Sequence, residues 1–288
     1  MAFCNRFHRN RMKNISIFAR KPLFFRRTHY YNYPHLQRGS SIIRGEQMVK
    51  YLGAKYNPVG GYEYDVRIYV KPQSLDVLNN GSYVDIVDSV RVLRNILQYP
   101  SLWAIVLSKA GERWLRSKGK EKVVVIPQHH CNIENFRKEK KEIVTVGVIG
   151  SEDTFSQPLG WFSGEMEKIG LRFITSFSWK SREEVVDFYK RIDIQVAWNK
   201  ERNRQKSIRD SLRIKNAASF GIPTVAYPEI NYEEFEGNYI KVKTIEGLIE
   251  EVRKLKDKTY YDKWSERVFE KAQEFHISKI AEMYRRLE

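Results

Sequence analysis

The sequence predicts an α/β protein built from two doubly wound parallel sheets, and three observations carry that expectation. Short apolar runs alternate with amphipathic helical patterns from residue 14 to about residue 127. A charged stretch then interrupts them, and the alternation restarts at residue 143. Parallel strands need long crossover connections, and helical crossovers cover both faces of the sheet. With 288 residues, 42% of them hydrophobic, the chain can fill two modest cores, which excludes a disordered tail protein or a small stapled scaffold.

Each element has its own signal. Ile15–Ala19 is a short apolar run bounded by Arg20, Lys21 and Pro22, as a buried strand would be. Arg44–Tyr51 carries Met48, Val49, Tyr51 and Leu52 on a helical stripe that stops at Gly53. Strands are expected at Asp65–Val70, Tyr83–Val87, Leu102–Leu107 and Val123–Ile126, with helices at Val90–Gln98 and Lys109–Ser117 between them. Residues 133–142 are polar, with Lys, Arg or Glu at each of positions 137–142, and read as a linker. The second run sets strands at Ile143–Ile149, Leu171–Phe177, Ile192–Trp198, Ile222–Ala226 and Tyr239–Val242. Helices fall at Leu159–Ile169, Arg182–Arg191, 245–256, 260–274 and 277–287. Ser181 with Glu184 is a capping-box pair, and Ser207 with Asp210 resembles another, opening a helix that ends at Phe220–Gly221.

Charge and cysteine usage narrow the function classes. The net charge is +16, yet ten of the 51 bases and none of the 35 acids fall in residues 1–45. Such an excess suggests phosphate-bearing partners, with a merely soluble basic surface as the plain alternative. Met12, directly before the first strand, is read as the true start, which would make residues 1–11 an extension. Cys4 and Cys131 cannot build a disulfide framework, which points to a reducing, cytoplasmic setting. No apolar run approaches the ~20 residues that span a bilayer.

The segments Ser181–Trp198 and Asp210–Tyr232 (DSLRIKNAASFGIPTVAYPEINY), with Ala104–Ser108 and Val123–Asn132 (VVVIPQHHCN), form an ordered set. Together they resemble the GT-B glycosyltransferases of the group 1-like type, in which a helix of pattern K-x-x-N-A-x-x-x-G-I-P carries the sugar-nucleotide diphosphate. The resemblance implies two Rossmann-like domains facing across a cleft: an acceptor-side domain at 12–132, a linker at 133–142, a donor-binding domain at 143–275 and a C-terminal helix at 276–288. It implies transfer of a sugar from a nucleotide-sugar donor, as substrate and not cofactor, to an unidentified acceptor. Many retaining members carry two Glu separated by seven residues before A-x-x-G-x-P; here those positions are Ile208 and Asn216, so the pair is absent.

Residues 199–215 hold seven Lys/Arg against two acids, before and within a helix whose free N–H groups favour an anion. In the family-like reading Ser211, Arg213, Lys215 and Asn216 cradle the diphosphate, and the alternative is a solvated basic helix. Gly147, Gly150 and Ser151 would allow close backbone approach to phosphate, and Glu229 could accept hydrogen bonds from ribose hydroxyls. For the base that removes an acceptor proton the candidates are His129, His130 and Asp85, with Asp88 at the same strand end. His129, His130 and Cys131 are adjacent and lack a paired cluster, so no metal site is expected, and no Asp-x-Asp occurs. The loop at 20–38, with Arg26 and Arg27, is a candidate contact for an anionic membrane surface. A nucleic-acid or polyanion role through Phe24, Phe25, Tyr30, Tyr31 and Tyr33 is the alternative class, and a non-catalytic homologue a third; nucleic acid is disfavoured because no recognised module appears.

Overall fold

In the computed structural model the described residues are 14–19, 39–138, 142–150, 155–179, 181–199 and 210–288. The expectations placed on residues 1–11, on the loop at 20–38, on Ser151 and on Ser207 lie outside them.

The first sheet has the strand order β2-β1-β3-β4-β5-β6, all parallel. Its strands are β1 (Ile15–Phe18), β2 (Lys55–Tyr56), β3 (Val66–Val70), β4 (Tyr83–Asp85), β5 (Trp103–Val106) and β6 (Val123–Val125). Between β1 and β2, Ser41–Gln47 winds as a π-helix and runs into α1 (Met48–Leu52), which stops at Gly53 in the left-handed conformation, φ 66°. The sequence pattern gave this segment helical periodicity but carried no sign of its π winding or of the two-residue β2. Helix α2 (Val90–Asn95) and α3 (Lys109–Ser117) cover one face, packing Val92, Leu93 and Leu115 on Val84, Ala104 and Val106.

The second sheet has the order β11-β10-β9-β7-β8, again all parallel. It consists of β7 (Thr145–Ile149), β8 (Arg172–Ser176), β9 (Ile194–Ala197), β10 (Thr224–Ala226) and β11 (Ile240–Lys241). One face packs Val146, Val148 and Val196 on Phe162 and Met166 of α4 (Leu159–Lys168) and on Leu248 and Val252 of α7 (Ile245–Lys254). The other face is covered by α5 (Arg182–Arg191), α6 (Leu212–Ala218) and α8 (Lys258–Ala272). Ser181 caps α5 as its spacing predicts, accepting the Glu184 N–H at 3.3 Å.

Residues 133–138, within the expected linker, form no helix or strand. The expectation at Gly147 changes. Gly147 sits inside β7, where a Cβ would collide with Ile192 Cγ2 and meet the Phe188 ring at 3.0 Å; it is a packing glycine with no room for phosphate. The last helix, α9 (Ile277–Arg285), returns to the first sheet, where Ile280, Ala281 and Tyr284 share a core with Ile17 and Ile68. The chain thus closes by stapling its end onto the half it began with. Both cores bury apolar side chains at about 25 cal/mol per Å² removed from water, the main force holding each sheet to its helices.

Candidate functional site

The carboxyl ends of both sheets open onto one cavity of about 710 Å³. Lys71 follows β3, Asp88 follows β4, Leu107 follows β5 and Gln128 follows β6; Gly150 and Trp179 follow β7 and β8. This is where open parallel sheets bind ligands, because strand-to-helix loops converge there.

The seam beside the cavity is stitched by hydrogen bonds between the halves. Asp210 accepts the Gln128 N–H at 2.9 Å, Asn216 Oδ1 accepts the Cys131 N–H at 2.8 Å, and Arg182 Nε donates to the Cys131 carbonyl at 2.7 Å. Deeper, Arg44 Nε pairs with Asp85 at 2.6 Å and its Nη1 donates to the Pro127 carbonyl at 2.8 Å, with both side chains fully buried. The Arg44 guanidinium also lies 5.1 Å from the centre of the Tyr284 ring. This network fixes the exit of β6, and with it residues 128–131 along the cavity.

The candidate residues divide by access. Gly150, His129, His130, Arg213 and Asn216 line the cavity. Asp85, Ser211 and Lys215 are buried and do not line it. Asp85 is taken by Arg44 and Tyr284, which leaves it no path to an acceptor proton. Lys215 is ion-paired with Asp210 and stands 4.3 Å from the Phe275 ring centre. Burial lowers the Lys215 pKa and Asp210 opposes the shift. Its charge is therefore already answered from within the protein. Asp210 precedes α6, which begins at Leu212, and is held by the Gln128 N–H and by Lys215. Glu229 stands away from the cavity lining and its Oε1 accepts from the Tyr232 hydroxyl at 3.3 Å.

The two histidines differ in kind. Both ring nitrogens of His129 lie against carbonyls, His130 O at 3.0 Å and Ile43 O at 3.1 Å. Both ring nitrogens of His130 are buried without a partner among the described residues, its ring 5.5 Å from His276. Burial pulls His129 down to about 4 and His130 to about 3, the latter helped by the charges of His276 and Lys215. A general base works best with a pKa near the working pH, and neither imidazole is tuned that way. Burial likewise pushes the Cys131 thiol up to about 12, so it is inert.

The cavity also gathers residues that the sequence reading passed over. Trp179, 38% exposed, and Arg182 stand at its second-half wall with Arg213. The Arg213 guanidinium makes no ion pair or hydrogen bond to another described residue. It lines the cavity from the first turn of α6. On the first-half wall Lys71 and Val87 adopt φ of 48° and 53°. Such left-handed backbone costs of the order of 1–3 kcal/mol at a non-glycine residue, and most at a β-branched one. The only trace of this in the sequence is position: both residues follow a strand end. Among the described residues no cluster of three or more His, Cys, Asp or Glu is arranged to hold a metal ion, and no helix is long and apolar enough to cross a membrane.

No protein-family model and no curated protein sequence matches the chain. Solved structures do. AviGT4, a glycosyltransferase involved in avilamycin A biosynthesis, superposes with a TM-score of 0.56 at 13% identity, over 95% of this chain and 98% of that one. The fold is GT-B. HepE of Anabaena, solved with UDP-glucose, shares the GT-B architecture at a TM-score of 0.56 and 10% identity, over 94% and 98% of the two chains. TarM matches with a TM-score of 0.50 at 14% identity over 80% of this chain, which spans about half (51%) of the TarM chain. It likewise spans 52% of the pneumococcal O-GlcNAc transferase GtfA. The described cavity is the inter-sheet cleft of this GT-B fold.

Proposed function

We propose that the cleft binds a nucleotide-sugar and that the protein transfers its glycosyl group to an acceptor hydroxyl presented from the first half. The observation that carries this reading is Arg213, a cation without a carboxylate partner among the described residues, facing a cavity at the carboxyl ends of two parallel sheets. A guanidinium binds phosphate oxygens bidentately, and a departing diphosphate needs positive charge to receive it. Arg182, on the same wall, is ion-paired with Glu134 and leaves Arg213 to meet the phosphate, and Gly150, at φ 152°, brings bare backbone to the end of β7. Asn216, also on this wall, offers an amide where many retaining relatives place a glutamate.

The test is calorimetric titration of the full chain with UDP-, GDP- and ADP-glucose, followed by assay of nucleoside diphosphate release. Binding of one of them with a dissociation constant in the micromolar range, lost in Arg213→Ala, is the expected result. Equal binding by wild type and Arg213→Ala, or none by folded wild type, would sink the assignment.

A further inference from the structure

The cavity lining holds two carboxylates, Asp88 and Asp210. Asp210 is committed: it accepts from the Gln128 N–H and pairs with Lys215, and its side chain is only 4% exposed. Asp88 is open, with its side chain 48% exposed, and its one described partner is Lys71 Nζ at 2.5 Å. Both members of this pair follow adjacent strands, β3 and β4, whose register ends at Val70 and Asp85. Lys71 itself and Val87, the residue before Asp88, are the two left-handed positions on the cavity wall. A surface ion pair this exposed adds little stability. Val87 packs its side chain into the first core, and the left-handed turns at Lys71 and Val87 hold the Asp88 carboxylate on the cavity wall in one direction. Beside the pair this wall presents apolar Ile42, Ile43 and Leu107 and polar Gln47 and Gln128, and among the described residues no other carboxylate lines it.

We propose that Asp88 is the general base of the transfer and that Lys71 is its positioning residue. This rests on the nucleotide-sugar reading of the cleft. The acceptor oxygen forms a bond to the anomeric carbon while the bond from that carbon to the diphosphate oxygen breaks. The hydroxyl proton passes to the Asp88 carboxylate, and the electron pair of the broken bond leaves on the nucleoside diphosphate, which departs toward Arg213. Direct attack of this kind inverts the anomeric centre.

Water can stand in for the acceptor, so the experiment needs no knowledge of it. Hydrolysis of UDP-glucose (or of GDP- or ADP-glucose, if calorimetry selects one of those) is followed for wild type, Asp88→Asn, Lys71→Met and Lys71→Arg. Nucleoside diphosphate binding is measured on each. Asp88→Asn is expected to bind the diphosphate within about twofold of wild type while hydrolysis falls about 100-fold or more. Lys71→Met should lower the turnover number at unchanged diphosphate affinity, and Lys71→Arg should restore part of it. Proton NMR should show β-glucose as the first product of the α-linked donor. Turnover by Asp88→Asn within threefold of wild type, first release of α-glucose, or a wild type that binds the donor without hydrolysing it faster than buffer would each overturn the base. A wild type that binds none of the three donors fails earlier, at the nucleotide reading, and takes the base with it.

Discussion

The two walls of the cleft are built on opposite principles. The second-half wall carries its charge on helices: Arg182 opens α5, Arg213 lies in the first turn of α6, and both side chains reach the cavity from regular, unstrained backbone. The first-half wall carries Lys71 and Asp88 on strand ends, mutually neutralised and flanked by left-handed residues. Arg182 is ion-paired with Glu134, but Arg213 has no carboxylate partner among the described residues, and such a cation suits a ligand that arrives already charged. A neutral pair held on strained turns suits chemistry in which a proton moves. The difference teaches that a cleft between two similar sheets need not be symmetric in what it does.

The largest effects are expected from the buried pairs behind the walls, which set the geometry without touching a ligand. Arg44→Met strands Asp85 at 0% exposure, and Lys215→Met strands Asp210. Each should lose roughly 3–5 kcal/mol in urea unfolding, the usual cost of leaving one buried charge unpartnered. A loss under about 1 kcal/mol for either would mean that the pair does not hold its wall.

Next comes pH. His129 and His130 are held neutral in the folded state, at about 4 and about 3, against an ordinary value of 6.5. Below pH 6.5 the unfolded chain takes up protons that the folded one refuses, so stability falls with pH through that window and on toward pH 4 and 3. The slope is about 1 kcal/mol per pH unit for each histidine. Denaturant midpoints between pH 7 and 5 measure it, and a His129→Gln variant should flatten the curve. A wild-type profile that is level across this range contradicts neutral burial.

The smallest effect sharpens the contrast most. Lys71→Gly relieves a φ of 48° but removes the partner of Asp88. It should raise stability by about 1 kcal/mol or less while lowering turnover, because relief of strain slightly outweighs the loss of an exposed ion pair. A variant that is both less stable and fully active would mean the left-handed turn serves folding.

How much of this was legible in the sequence depends on what each signal reports. Strands such as Val146–Ile149, buried on both faces, read as unbroken apolar runs, and Ile194–Ala197 is interrupted only by the buried Gln195, so the double alternation was visible. The return of α9 to the first sheet was not, since its Ile277, Ile280 and Tyr284 stripe says that a face is buried but not against what. The same limit governs the site. Helical spacing places Arg213, Lys215 and Asn216 within one short helix, but α6 is packed almost all round, and only contacts decide which side chains reach the cavity. Lys215 turned inward because Asp210 waited there, a partner five residues away that no helical pair rule indicates. Asp85 and Asp88 are three residues apart at one strand end, yet Arg44, 41 residues upstream of Asp85, decides that the first is sealed.

The central claim, that the second-half wall receives a phosphate-bearing donor through Arg213 and not Lys215, is tested most directly by thermal shift with the selected nucleotide diphosphate. At ~100 times its dissociation constant a ligand adds about 2.7 kcal/mol, or roughly 5 °C or more for a chain of this size. The account predicts that Arg213→Ala keeps the wild-type melting temperature and loses the shift, whereas Lys215→Met melts lower and keeps it. The reverse pattern, a shift lost in Lys215→Met and kept in Arg213→Ala, would contradict it.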